Sequence, residues 1–351
     1  MKIFTRCLLL IPVCGLVLTL TSACAGKKKD IVITVQELSD KQFPIYDYFQ
    51  TDKTVYVSAD DNFLLSDVNS AHINGNFLYT LDSNHKISKI DLSTGKIIGQ
   101  YCQIGRGPQD YIFPIGLAGD DEHLYLLDLM GKSVHRFSYD IKHQGKFSLE
   151  KMNTTSSMYK TPDGFLFFNS FDSENVGKIA VTDNSGQIKQ SFVHQREEQL
   201  PESDAPVMKT IFTDQLFVPT PDGKVLCFNP DGKEAYLYDG HNMDPLLRIE
   251  MDLNYEKQPQ TPDPFVKQLY CIDGNTLINY SYNLNTFFSY YDKDFKLIAT
   301  GSPTVSDNQP PFKPICQSGD RLITVVPTDD APGAILPGRS IQAQIILHRK
   351  R

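Results

Sequence analysis

Tryptophan is absent from all 351 residues. That rules out the repeated Ser-x-Asp-x-Gly-x-Thr-Trp box and removes one of the large rings that stack on sugars. The 17 Tyr and 21 Phe remain available for stacking. No Cys-x-x-Cys or His-x-x-x-His pair occurs, so the spacing of a structural zinc site is missing. No Gly-x-Ser-x-Gly elbow occurs, which argues against a common esterase plan. Basic residues are outnumbered 34 to 42, giving a net charge of −8, so nucleic acid is excluded as an expected partner. Long amphipathic helical patterns are missing as well, which points away from helical bundles.

What is present is turn chemistry. The 21 Pro and 22 Gly are spread along the whole chain, as many short strands require. Residues 77 to 111 state the pattern most fully. An apolar strand, Phe77 to Leu81, is followed by a polar turn, Asp82 to His85. A second strand, Lys86 to Asp91, a Ser-Thr-Gly turn and a third strand, Lys96 to Cys102, lead to a Gly105-Arg106-Gly107-Pro108 corner. The same pattern restarts at His123, Gly164, Gly223, Asn275 and Arg321. Each copy follows a turn of the Asn-Gly, Asp-Asp, Asp-Gly or Ser-Gly kind, whose residues tolerate the backbone that tight hairpins need. Ahead of each turn lies another short apolar stretch, such as Phe113 to Leu117, Ile211 to Val218 and Phe265 to Ile272. Four strands per repeat and a period of 40 to 60 residues signal a β-propeller. The fold class expected is therefore all-β, with six blades of four antiparallel strands. The longest spacing is explained by QREEQLPESDAP, 195 to 206, read as a loop between blades. A ring must close to remove its free edges. Neither Ile31 to Val35 nor Thr54 to Val57 has a blade of its own, so the N-terminal part is expected to supply a strand to the last blade.

The first 23 residues read as an export signal. Lys2 and Arg6 precede a 14-residue uncharged apolar run, too short to cross a bilayer core of about 30 Å comfortably. Thr21-Ser22-Ala23 before Cys24 resembles a bacterial lipobox, in which the cysteine is acylated and becomes the N-terminus. Leu20 lies four residues before Cys24, where the usual pattern has leucine three before. An ordinary signal cut near Ala23 or Ala25 is the alternative. Removal of the signal takes away Lys2 and Arg6 and moves the net charge from −8 to −10. The stretch Ala25 to Asp30 reads as a short polar tether, with three lysines that suit anionic headgroups or a solvated linker. The expected organisation is a signal at 1–23, a lipidated tether and closing strand at 24–43, and the propeller at 44–351.

The run Ile104 to Tyr111, placed after a strand, Asp, turn, Gly-Lys unit, resembles the Bacteroides-type six-bladed propeller lipoproteins, described as TolB-like or NHL-like. Their usual corner is Gly-x-Gly-Pro-Gly-Glu-Tyr; Gln109 and Asp110 replace its Gly-Glu here. The resemblance implies a propeller in the cell envelope, and it implies no activity. Surface-exported members tend to carry acidic tethers, so the basic tether here suggests the periplasmic face of the outer membrane.

Within the corner, Gly105, Arg106, Gly107, Asp110 and Tyr111 are the candidate binding residues. One reading is structural: the glycines allow unusual φ, Pro108 fixes the turn and Tyr111 packs between blades. The other is a nest of backbone amides beside Arg106 that receives an anion. Cys102, Cys227, Cys271 and Cys316 are expected as buried free thiols, though an exported chain also permits disulfides. Cys271 and Cys316 share one spacing before a turn and should occupy equivalent inner strands. The eight histidines form no motif and are expected mostly at turns and strand edges. No cofactor motif is found. Asp60-Asp61, Asp120-Asp121-Glu122 and Asp329-Asp330 have the oxygen ligands for calcium, although adjacent acids on a turn are usually just solvated. Two functions fit: a non-enzymatic envelope propeller that binds a protein, peptide or glycan, or a metal-dependent hydrolase or lactonase working at the central channel.

Overall fold

The computed structural model describes residues 29–34, 41–58, 63–149, 151–152, 154–170, 176–193, 215–230, 233–252, 265–282, 285–306, 308–327 and 341–351. The signal, Cys24, the 195–206 segment, Asp60-Asp61 and Asp329-Asp330 lie outside them.

Six antiparallel sheets carry the chain. Blade 1 is β4 (Val68–Asn74), β5 (Phe77–Asp82), β6 (Ile87–Asp91) and β7 (Lys96–Tyr101). Blade 2 is β8 (Pro114–Gly119), β9 (His123–Asp128), β10 (Ser133–Ser138) and β11 (His143–Ser148). Blade 3 is β12 (Thr155–Thr161), β13 (Gly164–Asn169), β14 (Ile179–Thr182) and β15 (Ile188–Phe192). Blade 4 is β16 (Phe217–Pro219), β17 (Val225–Asn229), β18 (Glu234–Tyr238) and β19 (Met243–Asp252). Blade 5 is β20 (Phe265–Ile272), β21 (Asn275–Tyr282), β22 (Asn285–Tyr291) and β23 (Leu297–Thr304). Blade 6 is β24 (Pro314–Ser318), β25 (Arg321–Pro327), β26 (Ile341–Lys350) and β3 (Phe49–Ser58). The repeat starts coincide with the second strand of each blade, and the six-bladed all-β fold is as expected.

The N-terminal part supplies a strand to the last blade as expected, through the Thr54 to Val57 stretch rather than the 24–43 stretch. The strand that completes blade 6 is β3, paired antiparallel with β26 from Ile341↔Ser58 to Lys350↔Phe49. It lies beyond the 24–43 stretch. The Ile31 region instead forms β1 (Lys29–Thr34), parallel to β19 on the outer edge of blade 4, with Lys29 opposite Leu247. Next, β2 (Gln42–Pro44) adds to the outer edge of blade 5, parallel to β23. A single turn of helix, α1 (Ile45–Tyr48), then leads into β3. The chain thus covers two blade edges before completing the third, which removes three rows of unpaired backbone groups. Among the described residues no further strand pairs with the outer edges of blades 1 to 3, which carry polar breaks such as Lys96, Gln144, Lys146 and Lys189. Among the described residues no helix is long and apolar enough to cross a membrane.

Apolar cores lie between neighbouring blades. Tyr79, Leu81, Tyr111, Leu124, Leu126 and Phe137 fill the space between blades 1 and 2. Tyr125, Leu127, Val134, Phe165 and Phe167 fill the next one. Two blades share a further device. Asp82, at the end of β5, accepts from the amides of Asn84 and Lys86 at 3.0 and 2.9 Å and from Ser66 at 3.3 Å. Asp128, at the end of β9, accepts from the amides of Ile112, Phe113 and Gly131 at 2.9, 2.8 and 3.1 Å. Each buried carboxylate ties its own turn to the chain arriving from elsewhere in the ring.

In a ring of such meanders, the first and third hairpins of every blade lie on one face, the hairpin face. The second turns and the blade-to-blade connections lie on the other, the connector face.

Candidate binding site at the central channel

The first strands of five blades, β4, β8, β12, β16 and β24, enclose a cavity of about 230 Å³ along the ring axis. Small residues line it because several strands converge there: Ser70, Ala71, Gly116, Ala118, Ser156 and Ser157. An inner strand is also a sheet edge, and its free amides need partners. Side chains of adjacent blades supply them. Ser70 Oγ accepts from Leu117 N at 3.0 Å. Gln317 Oε1 accepts from Cys271 N at 2.8 Å while its Nε2 donates back to Cys271 O. Gln215 Oε1 accepts from Gln317 N at 2.8 Å. These polar groups are spent on joining blades.

Ser156 is different. It is buried in the channel wall, and its hydroxyl has no hydrogen-bond partner among the described residues. Towards the hairpin face the lining becomes ionisable. His72 stacks on Tyr139 with centroids 6.2 Å apart and shares a 3.2 Å hydrogen bond with its hydroxyl. The Tyr139 hydroxyl donates to Asp120 O. Gly119 is required beside this ring, since a Cβ there would lie 2.3 Å from His72 Nε2. Burial pulls the His72 pKa down to about 4, against the opposing charge of Asp120, so the ring is neutral at pH 7. Lys160 stands close by with its side chain only 5% exposed. Its Nζ donates to Thr161 O at 2.6 Å and lies 3.6 Å from Asp120 Oδ2. It also forms part of the wall of a second, open cavity of about 490 Å³ between blades 2 and 3. Burial works to raise the Asp120 pKa, yet the amides of Glu122 and His123, the Tyr125 hydroxyl and Lys160 outweigh it and hold it low.

Among the described residues no carboxylate lines the channel. Among the described lining residues no serine is hydrogen-bonded to a base, and His72 is engaged by Tyr139. No group of three or more His, Cys, Asp or Glu gathers as a metal site among the described residues. The lining can hold a ligand by hydrogen bonds.

The corner lies elsewhere. Gly105 to Tyr111 sits on the connector face between β7 and β8, and Lys146 Nζ, on the outermost strand of blade 2, reaches Gly107 O and Asp110 O at 3.5 Å. Asp110 folds back so that its Oδ2 accepts from Gly107 N at 2.8 Å. A Cβ at Gly105 or Gly107 would meet that oxygen at 2.3 or 2.8 Å. The glycines are therefore needed for the close approach of a carboxylate; neither adopts a positive φ. Tyr111 is fully buried, and its hydroxyl donates to His85 O at 2.6 Å. Arg106 projects into solvent. The corner's own carboxylate occupies the position an outside anion would take.

Other expectations divide. Cys271 and Cys316 occupy the inner strands β20 and β24 of adjacent blades as buried thiols in no disulfide, and Cys227 is likewise a buried thiol in no disulfide. Cys102 is free but exposed. His135 and His348 are fully buried in strands rather than placed at turns, and His72 lines the channel. Sequence reasoning missed His72, Ser156 and Lys160, which no local motif marks.

No protein-family model and no curated protein sequence matches the chain. Its fold is similar to solved structures. One is a putative exported protein from Bacteroides fragilis, with 14% identity and a TM-score of 0.63, covering 92% of this chain and all of that one. Another is a member of the DUF4221 family from Bacteroides vulgatus, with 9% identity and a TM-score of 0.56, covering 86% of this chain and 97% of that one. At these identities the likeness extends to the fold alone.

Proposed function

We propose that this chain is an exported, lipid-anchored propeller that binds a protein, peptide or glycan group in its channel without transforming it. The observation that carries the reading is the buried, unpartnered Ser156 hydroxyl in a channel that lacks carboxylates among its described lining. A buried polar atom without a partner is costly unless a ligand or water satisfies it. Export is supported by the Lys2-Arg6 apolar signal and by the exported description of the Bacteroides fragilis protein of similar fold. Cys24 carries the anchor in this reading, at the periplasmic face of the outer membrane, and a second acyl chain makes the anchoring stable.

The test is affinity capture from solubilised outer membrane with the lipidated protein and with Ser156→Phe, whose ring fills the channel. A ligand or partner held by the native protein and lost by the variant supports the reading. Equal capture by both, or capture of nothing above background, overturns it. Replacing Cys24 by serine should release the protein into the soluble periplasmic fraction.

A further inference from the structure

The cleft between blades 2 and 3 holds a guanidinium that the described fold does not use. On blade 2, Tyr125 of β9, Arg136 of β10 and Gly145 of β11 lie opposite one another in register. The row faces blade 3, where Phe165 meets Tyr125 edge-on with ring centroids 5.0 Å apart. A bulge after Arg136 leaves Gly145 at φ +137°, a backbone that favours glycine. A Cβ there would meet nothing within 4 Å, so the row ends in open space. That space belongs to the cavity of about 490 Å³, within the range of about 300–1,000 Å³ usual for small-molecule sites. Phe147 gives it an apolar wall and is braced by Phe165, with centroids 5.3 Å apart. The β12–β13 and β14–β15 turns close the far side with Pro162, Asn184 and Ser185. Of the described lining residues, only Lys160 is shared with the channel.

The other charges of the cleft have partners. Lys160 is committed to Asp120, 3.6 Å away, and to Thr161 O. Lys146 turns to the corner, with its Nζ 3.5 Å from Gly107 O and Asp110 O. Asp120 is filled by the amides of Glu122 and His123 and by the Tyr125 hydroxyl, at 2.9, 2.7 and 2.9 Å. Arg136 is exposed, and among the described residues its guanidinium makes no hydrogen bond and no ion pair. A guanidinium fork matches a planar carboxylate with two parallel hydrogen bonds. The rest of the lining calls for donors as well. The Glu122 carboxylate and the Asn184 side-chain carbonyl accept hydrogen bonds, and phosphate, as an acceptor-rich anion, suits them poorly. A sugar acid brings the carboxylate, hydroxyl donors and an apolar ring face for Phe147.

We propose that the cleft between blades 2 and 3 binds a carboxylate-bearing sugar, a hexuronic acid, with its carboxylate on Arg136 and its ring against Phe147. A free sugar acid and an acidic unit of a glycan chain share this chemistry. The site is separate from the channel, and it stands whether or not the channel takes a ligand.

Saturation-transfer NMR and titration calorimetry on the full-length protein test it, with glucuronate, glucose, acetate and inorganic phosphate as probes. Glucuronate should bind about tenfold more tightly than each of the other three. Arg136→Met should abolish that advantage while leaving the urea midpoint unchanged, since the exposed guanidinium bonds nothing in the described fold. Arg136→Lys keeps the charge and loses the fork, so it should retain only part of the affinity. A glucuronate tetrasaccharide separates the two sources. Tighter binding than the monomer assigns a glycan chain, and equal or weaker binding assigns the free sugar acid. Glucuronate bound no better than glucose or acetate overturns the proposal. So does phosphate bound as tightly as glucuronate, or Arg136→Met protein that binds glucuronate as the native protein does.

Discussion

The Gly105–Tyr111 corner and the central channel are built from similar parts: glycine, small polar side chains, a tyrosine hydroxyl and a histidine nearby. In the corner the hydrogen bonds close on themselves. Asp110 takes the amide of Gly107, Tyr111 N donates to Gln103 O, and the Tyr111 hydroxyl donates to His85 O. In the channel Ser70, Gln215 and Gln317 join blades, yet Ser156 Oγ has no partner among the described residues and His72 and Lys160 gather at one end. The difference separates a motif that stabilises the ring from a surface that has something left to bind. Distinctive sequence marked the first, and convergence in space makes the second.

The strongest way to break the comparison is Tyr111→Ala. The ring is fully buried between blades 1 and 2, against Tyr101 and His135. Large-to-small changes at such sites cost about 3–5 kcal/mol. Urea unfolding should show that loss, while folded protein keeps its channel ligand. A loss below about 1 kcal/mol would remove the corner from the structural side of the comparison.

Acid should come next. Burial, followed by the neighbouring charges of Lys146 and His143, pulls the His135 pKa down to about 4, and burial alone does the same to His348. The folded state therefore holds both rings neutral while the unfolded chain protonates near pH 6.5. Stability is complete above pH 6.5 and falls as pH drops from there through 4, because the unfolded state binds more protons. Each ring should contribute a loss of about 2–3 kcal/mol, at about 1.4 kcal/mol per pH unit. Urea midpoints followed from pH 7 to 4 check this. His135→Asn should flatten the curve beneath the corner, and His72→Gln should flatten it at the channel; a midpoint that rises on acidification would contradict the sign.

Gly105→Ala sharpens the corner's side of the comparison. Its new Cβ would lie 2.3 Å from Asp110 Oδ2, so the carboxylate must move away from the Gly107 amide. About 1–3 kcal/mol of destabilisation is expected. Asp110→Ala in the same chain should recover part of it, because the collision disappears. A double-mutant cycle measures that coupling, and purely additive losses would mean that the two residues do not meet.

Much of the fold was legible before any coordinates. Turn pairs such as Asn74-Gly75 and Asp222-Gly223 repeat ahead of alternating apolar runs, and a ring follows from six such runs. The path of the N-terminus was not legible. The strands at 29–34 and 49–58 are both rich in β-branched residues, and nothing local says which outer edge each will find. That choice is made by where the ring needs its edges covered. The buried histidines were misread for a related reason: His135 and His348 sit on alternating strands, and their burial depends on the neighbouring blade. The channel was least legible of all. Ser156, His72 and Lys160 come from two different blades, each in a stretch that reads as an ordinary strand.

The smallest effect on stability should come from Ser156→Ala, and its sign is the informative part. At Tyr111 the fold loses packing and a hydrogen bond together. At Ser156 the hydroxyl has no partner among the described residues, so its removal takes away no bond. It relieves the desolvation of a buried polar atom, and the expected change lies between neutral and about 1 kcal/mol of added stability. Thermal or urea unfolding reads this directly. Destabilisation by more than about 1 kcal/mol would mean that the hydroxyl already serves the fold. The channel would then be as closed on itself as the corner, and its claim to a ligand would go with it.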